Sequence, residues 1–344
     1  MSGFSDRIIA WQRTHGRHDL PWQNTRDPYA IWVSEIMLQQ TQVSAVIPYY
    51  QRFMLRFPDI ATLAIAEQIE VLQLWSGLGY YSRARNLHAS AQKLMLESGG
   101  KFPPSADTIA QLPGIGRSTA AAIAAFSFGH KGAILDGNVR RVLCRCFGVS
   151  GWAGQPAVEK ELWTLATSLL PPDNIEAYTQ GLMDLGASLC SRSKPACSQC
   201  PLQQLCIAHR DNLTATLPTS KPRKALPERA ITLLLLIDGN QILLEQRPPT
   251  GIWGGLWSLP EVDGAFNVQQ AARLRYGQET ELLPTMPAFT HTFTHFRLHI
   301  TPQPLLVTRR LSPAEETLTL WLDREDAIQA ALPTPVRSLI NRLR

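Results

Sequence analysis

The sequence predicts two domains of different class, an all-α domain followed by a smaller α+β domain. Three observations carry this. Up to about residue 210, apolar residues recur at helical spacing between short Pro/Gly turns, with no alternating strand. The stretch Leu213 to Glu228, with Pro218, Pro222, Pro227, Lys221, Arg223 and Lys224, then loses any apolar period. Beyond it, short apolar runs have the length of buried strands. The expected boundaries are 1–212, a solvated and partly extended linker at 213–229, and 230–344. At 344 residues, each part is long enough to bury its own core.

The elements follow in order. Asp27-Pro28 sets a helix cap before a proline at the first helical position, opening a helix through Ile31, Trp32, Ile36 and Leu38. Further helices are expected at Ala61 to Trp75, Ser82 to Leu96, Thr108 to Gln111, Val139 to Cys146, Ala157 to Leu170 and Ile175 to Leu189. Between them, Leu112-Pro113-Gly114-Ile115-Gly116-Arg117-Ser118 cannot sit inside a helix, because proline removes a donor and glycine is costly there. The run Ser118 to Ala125 restarts one. Two glycines at a helix start let backbone N–H groups approach an anion, so a phosphate is one guest; a plain turn between core helices is the other reading. In the second domain, strands are expected at Ile231 to Ile237, Gln241 to Arg247 and Phe296 to Pro302, and helices at Val268 to Tyr276 and near the C-terminus.

Composition is globular, with 44% hydrophobic and 18% charged residues. A net charge of +5 and a pI of 9.0 fit a nucleic-acid partner without requiring one. The N-terminus has no signal-type apolar core, and no run approaches the ~18 residues of a membrane span, so no membrane partner and a cytoplasmic location are expected. In that compartment six cysteines are not expected to build a disulfide framework. Cys190, Cys197, Cys200 and Cys206 have the spacing C-x6-C-x2-C-x5-C. Structural zinc usually takes two short pairs separated by a longer spacer, and this uneven spacing suits a [4Fe–4S] cluster better. Arg192, Lys194 and Arg210 give the loop a positive rim, consistent with a DNA backbone. Cys144 and Cys146, flanking Arg145, read as small buried residues.

The hairpin Leu112 to Ser118, the acid Asp136 beyond it and the cysteine loop at 190–206 together resemble the helix-hairpin-helix DNA glycosylase superfamily with an iron–sulfur cluster, over residues 1 to about 210. Within that group the chain is most similar to the adenine DNA glycosylases. Ser34 to Val43 matches the helix that carries their catalytic glutamate, and Gly77 to Ala84 matches their DNA-wedge loop. Ser118 stands where bifunctional relatives place a Schiff-base lysine, so a monofunctional enzyme is expected.

Breaking a purine N-glycosidic bond calls for a proton on the leaving base and a negative charge near the sugar. Glu35, amid Ile31, Trp32, Ile36, Met37 and Leu38, should hold its proton by desolvation, and the resemblance makes it the acid on N7 of adenine. Asp136, followed by Gly137-Asn138, can take hydrogen bonds that keep it ionised; it would stabilise the oxocarbenium-like sugar or attack it, with Asn138 as a supporting donor. The resemblance further implies that Gly114, Gly116 and Ser118 meet the DNA backbone, and that Gln40, Leu78 and Tyr80 fill the stack once the base is flipped out, with Thr41 in the same matching segment. It places Trp22 and Gln180 around the extruded adenine; Trp22 also reads as plain core, and Gly79-Tyr80-Tyr81 as a packed loop.

Glu245 to Pro249 and Gly251 to Glu261 look like the opening of a Nudix domain, but Val268 to Tyr276 carries none of the clustered glutamates that would hold Mg²⁺. This domain is expected to recognise rather than hydrolyse, sensing 8-oxoguanine opposite the target adenine. Phe293-Thr294-His295 matches the family's Phe-Ser-His recognition loop, with Thr for Ser. His291 and His295 as zinc ligands would lack a third partner. The resemblance thus implies a monomeric base-excision repair enzyme acting at the nucleoid on double-stranded DNA with A opposite 8-oxoguanine or G. The competing readings are a thymine-mismatch glycosylase of the same superfamily, a catalytically silent DNA-binding or redox module, and a Nudix hydrolase.

Overall fold

The computed structural model describes residues 3–222, 225–263, 267–312 and 318–343; the expected linker bases Arg223 and Lys224 lie outside the described residues. The chain forms two compact units, Met1–Ile65 with Asn86–Arg223, and Ala66–Arg85 with Lys224–Arg344. The segment 66–85, read from sequence as part of the helical domain, groups with the second unit because its side chains bond C-terminal backbone, as when Ser76 Oγ donates to the Leu332 carbonyl at 2.6 Å.

The helices run α1 Phe4–His15, α2 Pro28–Leu38, α3 Val43–Arg56, α4 Ile60–Ile65, α5 Gln68–Trp75, α6 Ser82–Ser98, α7 Ala106–Ile109, α8 Arg117–Phe128, α9 Gly137–Phe147, α10 Pro156–Ser168, α11 Ile175–Ser188 and α12 Ile207–Arg210. The cap on α2 forms as expected: the Asp27 carboxylate accepts from the Tyr29 N–H at 3.0 Å, ahead of Pro28. Sequence reading missed α1 and α3, the latter because Pro48 lies inside it. The single helix expected over 61–75 is broken at Glu67, whose extended backbone starts α5.

In the first unit, the alanines of α8 allow close approach, and Ala120 to Ala125 are all buried. One core joins Ile8 of α1, Ala121 and Ala125 of α8, Leu143 of α9, and Leu182 and Leu185 of α11. Each such leucine contributes roughly 1.5–3 kcal/mol when fully buried. The tightest approaches are made by glycine. A Cβ on Gly181 would lie 2.7 Å from Ile8 Cγ2, and one on Gly186 would lie 2.5 Å from Asn138 Cβ. The expected solvated linker is not solvated at its start: Leu217 is buried and its carbonyl accepts from Arg145 at 2.8 Å, so Leu213–Leu217 packs as part of the first unit.

The second unit is α+β, as expected. Its strands are β1 Glu228–Asp238, β2 Gln241–Gln246, β3 Trp257–Ser258, β4 Glu261–Asp263, β5 Gln278–Leu282, β6 Phe289–Thr292, β7 Arg297–Arg310 and β8 Thr319–Asp323, with helices α13 Val268–Tyr276, α14 Arg324–Gln329 and α15 Thr334–Asn341. The sheet order is β3-β2-β1-β7-β5, with β4 on β1, β6 on β7 and β8 on β2. β1 and β7 are parallel and central, which is why Leu233 to Ile237 is a continuous buried run. The strand expected to stop at Pro302 continues to Arg310. Pro302 and Pro304 fall where β7 changes partner from β6 to β5, and their carbonyls accept from the Met286 and Leu283 N–H groups.

Gly186→Ala forces α9 and α11 apart at the residue two places after Asp136. We expect a loss of about 1–3 kcal/mol in urea unfolding; an unchanged midpoint would show that the helices yield without cost.

Candidate active site

Two carboxyl groups lie at the centre of the first unit. Glu35 sits on α2, whose buried residues include Ile31, Trp32, Ile36 and Met37. Burial pushes its carboxyl from 4.5 up to about 8, and the neighbouring Asp136 charge adds to the rise. No hydrogen bond to the Glu35 side chain exists among the described residues, so nothing offsets the desolvation of its ionised form.

Asp136 is built differently. It caps α9, and its Oδ1 accepts from the Val139 N–H at 2.8 Å. Burial raises its pKa, while the Val139 and Asn138 N–H groups and the Arg141 and Arg140 guanidiniums pull it back. The donors expected from the sequence are present, yet burial outweighs them. Upstream, Ser118 Oγ accepts from the Leu135 N–H at 2.9 Å, so the start of α8 fixes the residue before the acid. Ser118 therefore faces the chain that delivers Asp136, and its hydroxyl offers no amine chemistry.

Asn138 is held by a fork. Arg141 donates to Asn138 Oδ1 at 2.8 Å, to the Gly186 carbonyl at 2.6 Å and to the Cys190 carbonyl at 2.6 Å. Asn138 thus spends its oxygen on Arg141.

The hairpin has two unlike glycines. Gly114 has φ +76, and a Cβ there would lie 2.7 Å from Asn86 Cβ. Gly116 caps α8, and nothing lies within 4 Å of its Cβ position, so its backbone faces open space where a phosphate oxygen can approach. Gln40 is exposed in a left-handed conformation, φ +57. Thr41 Oγ1 donates to the Gln39 carbonyl at 3.3 Å. Gln180 donates to Asp184 Oδ1 at 2.8 Å, and Asp184 also accepts from Arg17. Trp22 is buried, edge-on to Tyr50 at 5.3 Å, which favours its core reading.

Cys190, Cys197, Cys200 and Cys206 line one cavity, together with Arg145 and His209. Burial pushes Cys200 up to about 11, with the surrounding thiols adding to the rise. Four thiolates here need a cationic partner to hold their charge. No trio of His, Cys, Asp or Glu among the described residues stands close enough for a single metal ion. Arg145, buried beneath the loop, donates to the carbonyls of Ser191 at 2.7 Å, Arg192 at 2.9 Å and Thr214 at 2.8 Å, and to Cys190 Sγ at 3.4 Å.

In the second unit, Leu78 is buried and Tyr80 exposed in a tight loop, with φ +103 at Gly77, +77 at Gly79 and +50 at Tyr80. Thr294 and His295 are exposed at the tip of the β6–β7 hairpin, which the Phe293 N–H closes onto the Phe296 carbonyl at 2.9 Å. A separate cavity of about 440 Å³ is lined by Arg229, Arg247, Arg275, Glu245 and Glu261. Its glutamates are partnered: Glu261 pairs with Arg229 and Arg247 at 3.0 Å each, and Glu245 accepts from Tyr276 at 2.9 Å, while Asp263 also lines the cavity. The helix α13 beside it carries no carboxylate.

Sequence reading missed Arg141 and Arg145. The available signal was three arginines on one short helix with buried cysteines between them, but their acceptors are mostly main-chain carbonyls, which no side-chain pattern marks.

Two family models match the chain: HhH-GPD superfamily base excision DNA repair protein over residues 33–168, and NUDIX domain over 232–342. The chain is 38% identical to the adenine DNA glycosylase of Buchnera aphidicola subsp. Acyrthosiphon pisum, covering 99% of this chain and 97% of that one. It is 34% identical to the adenine DNA glycosylase of Homo sapiens, covering 98% and 73%. Among solved structures, a thermostable thymine-DNA glycosylase superposes with a TM-score of 0.55 at 32% identity, over 60% of this chain and 95% of that one.

The Glu35 shift has a stability consequence with a definite sign. Below pH 4.5 the carboxyl is protonated in both states; between 4.5 and about 8 the unfolded chain releases a proton that the folded one keeps, so stability falls with rising pH and levels off above about 8. Glu35→Gln removes this loss. Urea unfolding should show the variant gaining on the wild type between pH 5 and pH 9, on the order of 3 kcal/mol; a gap independent of pH would refute the burial of this carboxyl.

Proposed function

The chain belongs to the adenine DNA glycosylase family, and we propose that it removes adenine opposite 8-oxoguanine or guanine through a division of labour between Glu35 and Asp136. That it is a base-excision repair glycosylase hydrolysing the N-glycosyl bond of adenine follows from its near full-length similarity to those enzymes. The observation that carries the residue roles is the pair of half-buried carboxyls with different surroundings. Glu35, raised to about 8, keeps its proton at neutral pH and delivers it to the departing base. Asp136 has backbone N–H groups and two arginines to support its charge as the sugar becomes cationic. The bond from C1′ to adenine breaks, the base leaves with the Glu35 proton, and water supplies the hydroxyl on C1′ and the proton that restores Glu35. Ser118, bonded to Leu135, supplies no Schiff base, so the strand stays intact.

Leu78 and Tyr80 enter the stack as the adenine leaves it, Gly114 and Gly116 bind the backbone, and Gln40 and Thr41 support the opened duplex. Cys190, Cys197, Cys200 and Cys206 would hold a [4Fe–4S] cluster, whose binding energy would stabilise the loop. Thr294 and His295, at an exposed hairpin tip, read the opposite base. The enzyme acts as a monomer at the nucleoid, and no helix among the described residues is long and apolar enough to cross a membrane. The thymine reading is disfavoured because the similar thymine-DNA glycosylase covers 60% of this chain, and the Nudix hydrolase reading because α13 lacks metal ligands.

Duplexes with A opposite 8-oxoguanine, A·G, T·G and an oxidised pyrimidine, each treated with alkali after incubation, separate these readings. We expect cleavage at adenine in the first two; release of thymine would overturn the assignment. Glu35→Gln should lose about 10²–10⁴-fold in rate while still binding duplex, and normal turnover would remove Glu35 from its role. Borohydride should trap no covalent adduct; abundant adduct lost on changing Ser118 would make the enzyme bifunctional.

A further inference from the structure

The loop Gly77–Arg83 is braced from inside. Arg83 is buried, donates to the Gly79 carbonyl at 3.0 Å and lies over the Trp75 and Tyr80 rings at 5.4 and 5.5 Å. Trp75 Nε1 donates to the same Gly79 carbonyl at 3.2 Å. Both flanks of the loop are then tied to the C-terminal chain of the same unit. Before it, Gln73 donates to the Gln329 carbonyl at 2.8 Å, and Ser76 accepts from Arg337 at 2.9 Å. After it, Arg85 donates to the Gly254 carbonyl at 2.7 Å.

Gly254 is not an arbitrary acceptor. A Cβ there would lie 2.6 Å from the Pro249 carbonyl, so the turn is closed tightly on itself. Its neighbour Trp253 is a buried indole on a left-handed backbone, φ +55, a conformation that a bulky residue keeps only when its surroundings impose it. Trp253 packs on His291 and Phe293, with ring centroids 6.1 and 6.0 Å away, and Phe293 stacks on Phe296 at 4.5 Å. Thr294 and His295 lie between those last two rings in the chain. A charge-assisted hydrogen bond and a set of packed rings therefore connect the loop that enters DNA to the turn that meets the opposite base.

We propose that Arg85 is a positioning residue that sets the wedge loop from the base-reading turn through Gly254 and Trp253, so that extrusion of adenine depends on which base lies opposite. This rests on Thr294 and His295 being the readers. The flanking anchors differ in kind: Gln73 and Ser76 bond the carbonyls of Gln329 and Leu332, whereas Arg85 hydrogen-bonds the turn that carries Trp253, against which α5 also packs, a Cβ on Gly255 lying 3.3 Å from Leu72 Cδ1.

The test uses the full chain and single-turnover excision of adenine opposite 8-oxoguanine and opposite guanine, for wild type, Arg85→Ala, Arg85→Lys, Gln73→Ala and the double variant Thr294→Ala/His295→Ala. Arg85→Ala should lose about tenfold on the 8-oxoguanine duplex and little on the guanine duplex, with Lys restoring part of the preference and Gln73→Ala leaving the ratio unchanged. Equal slowing on both duplexes by Arg85→Ala, or an unchanged ratio while the Thr294/His295 variant loses its preference, would overturn the coupling and leave the readers in place. If the Thr294/His295 variant keeps the wild-type ratio, the reading turn itself is misassigned and the proposal falls with it. A fluorescent 2-aminopurine beside the target adenine reports unstacking directly, and its signal should depend on the opposite base in wild type and not in Arg85→Ala.

Discussion

Two half-buried carboxyls within electrostatic reach of each other are the constraint on which the first unit turns. The Asp136 charge raises the cost of ionising Glu35, and the fold gives its donors to Asp136. Glu35 receives an apolar helix and no hydrogen bond. Asp136 receives a helix N-terminus, and the residue before it is pinned by Ser118. The close approach of α9 to α11 serves the same end, since Arg141 can bond both Asn138 and the Gly186 carbonyl only when the helices nearly touch. Stability is traded here for two neighbouring carboxyls in unlike surroundings.

Much of this was legible in the residues. The α2 cap, the alanine-rich α8 and the acid at the start of α9 all follow from local rules, and the structure forms each of them. The apolar neighbours of Glu35 were enough to give the direction of its shift. The roles of Arg141 and Arg145 were not legible, because basic residues on an amphipathic helix read as a solvent face. Arg145 is instead 2% exposed and saturated by carbonyls from two separate stretches of chain, 191–192 and 214–217. The placement of Ala66–Arg85 was hidden for a related reason: Ser76 and its acceptor Leu332 are 256 positions apart, and the acceptor is backbone.

The second unit, matched by a NUDIX domain model, holds a pocket whose arginines and glutamates face one another. Arginines and glutamates around the 440 Å³ cavity neutralise one another, and α13 offers no carboxylate for a metal. What the unit exposes instead is a hairpin tip backed by Trp253, Phe293 and Phe296. Packed rings behind a small polar tip hold the tip's side chains in place.

The prolines of β7 bear on how this protein survives partial opening. In a strand, the N–H and C=O of one residue point the same way, and the Pro302 and Pro304 carbonyls face the side served by Met286 and Leu283. The donors missing from these prolines are missing from that side too. Should β5 or β6 peel away, the edge laid bare lacks two alternate donors in its middle. Such an edge is a poor template for a strand from a second chain, so local fraying of the sheet does not readily seed aggregation.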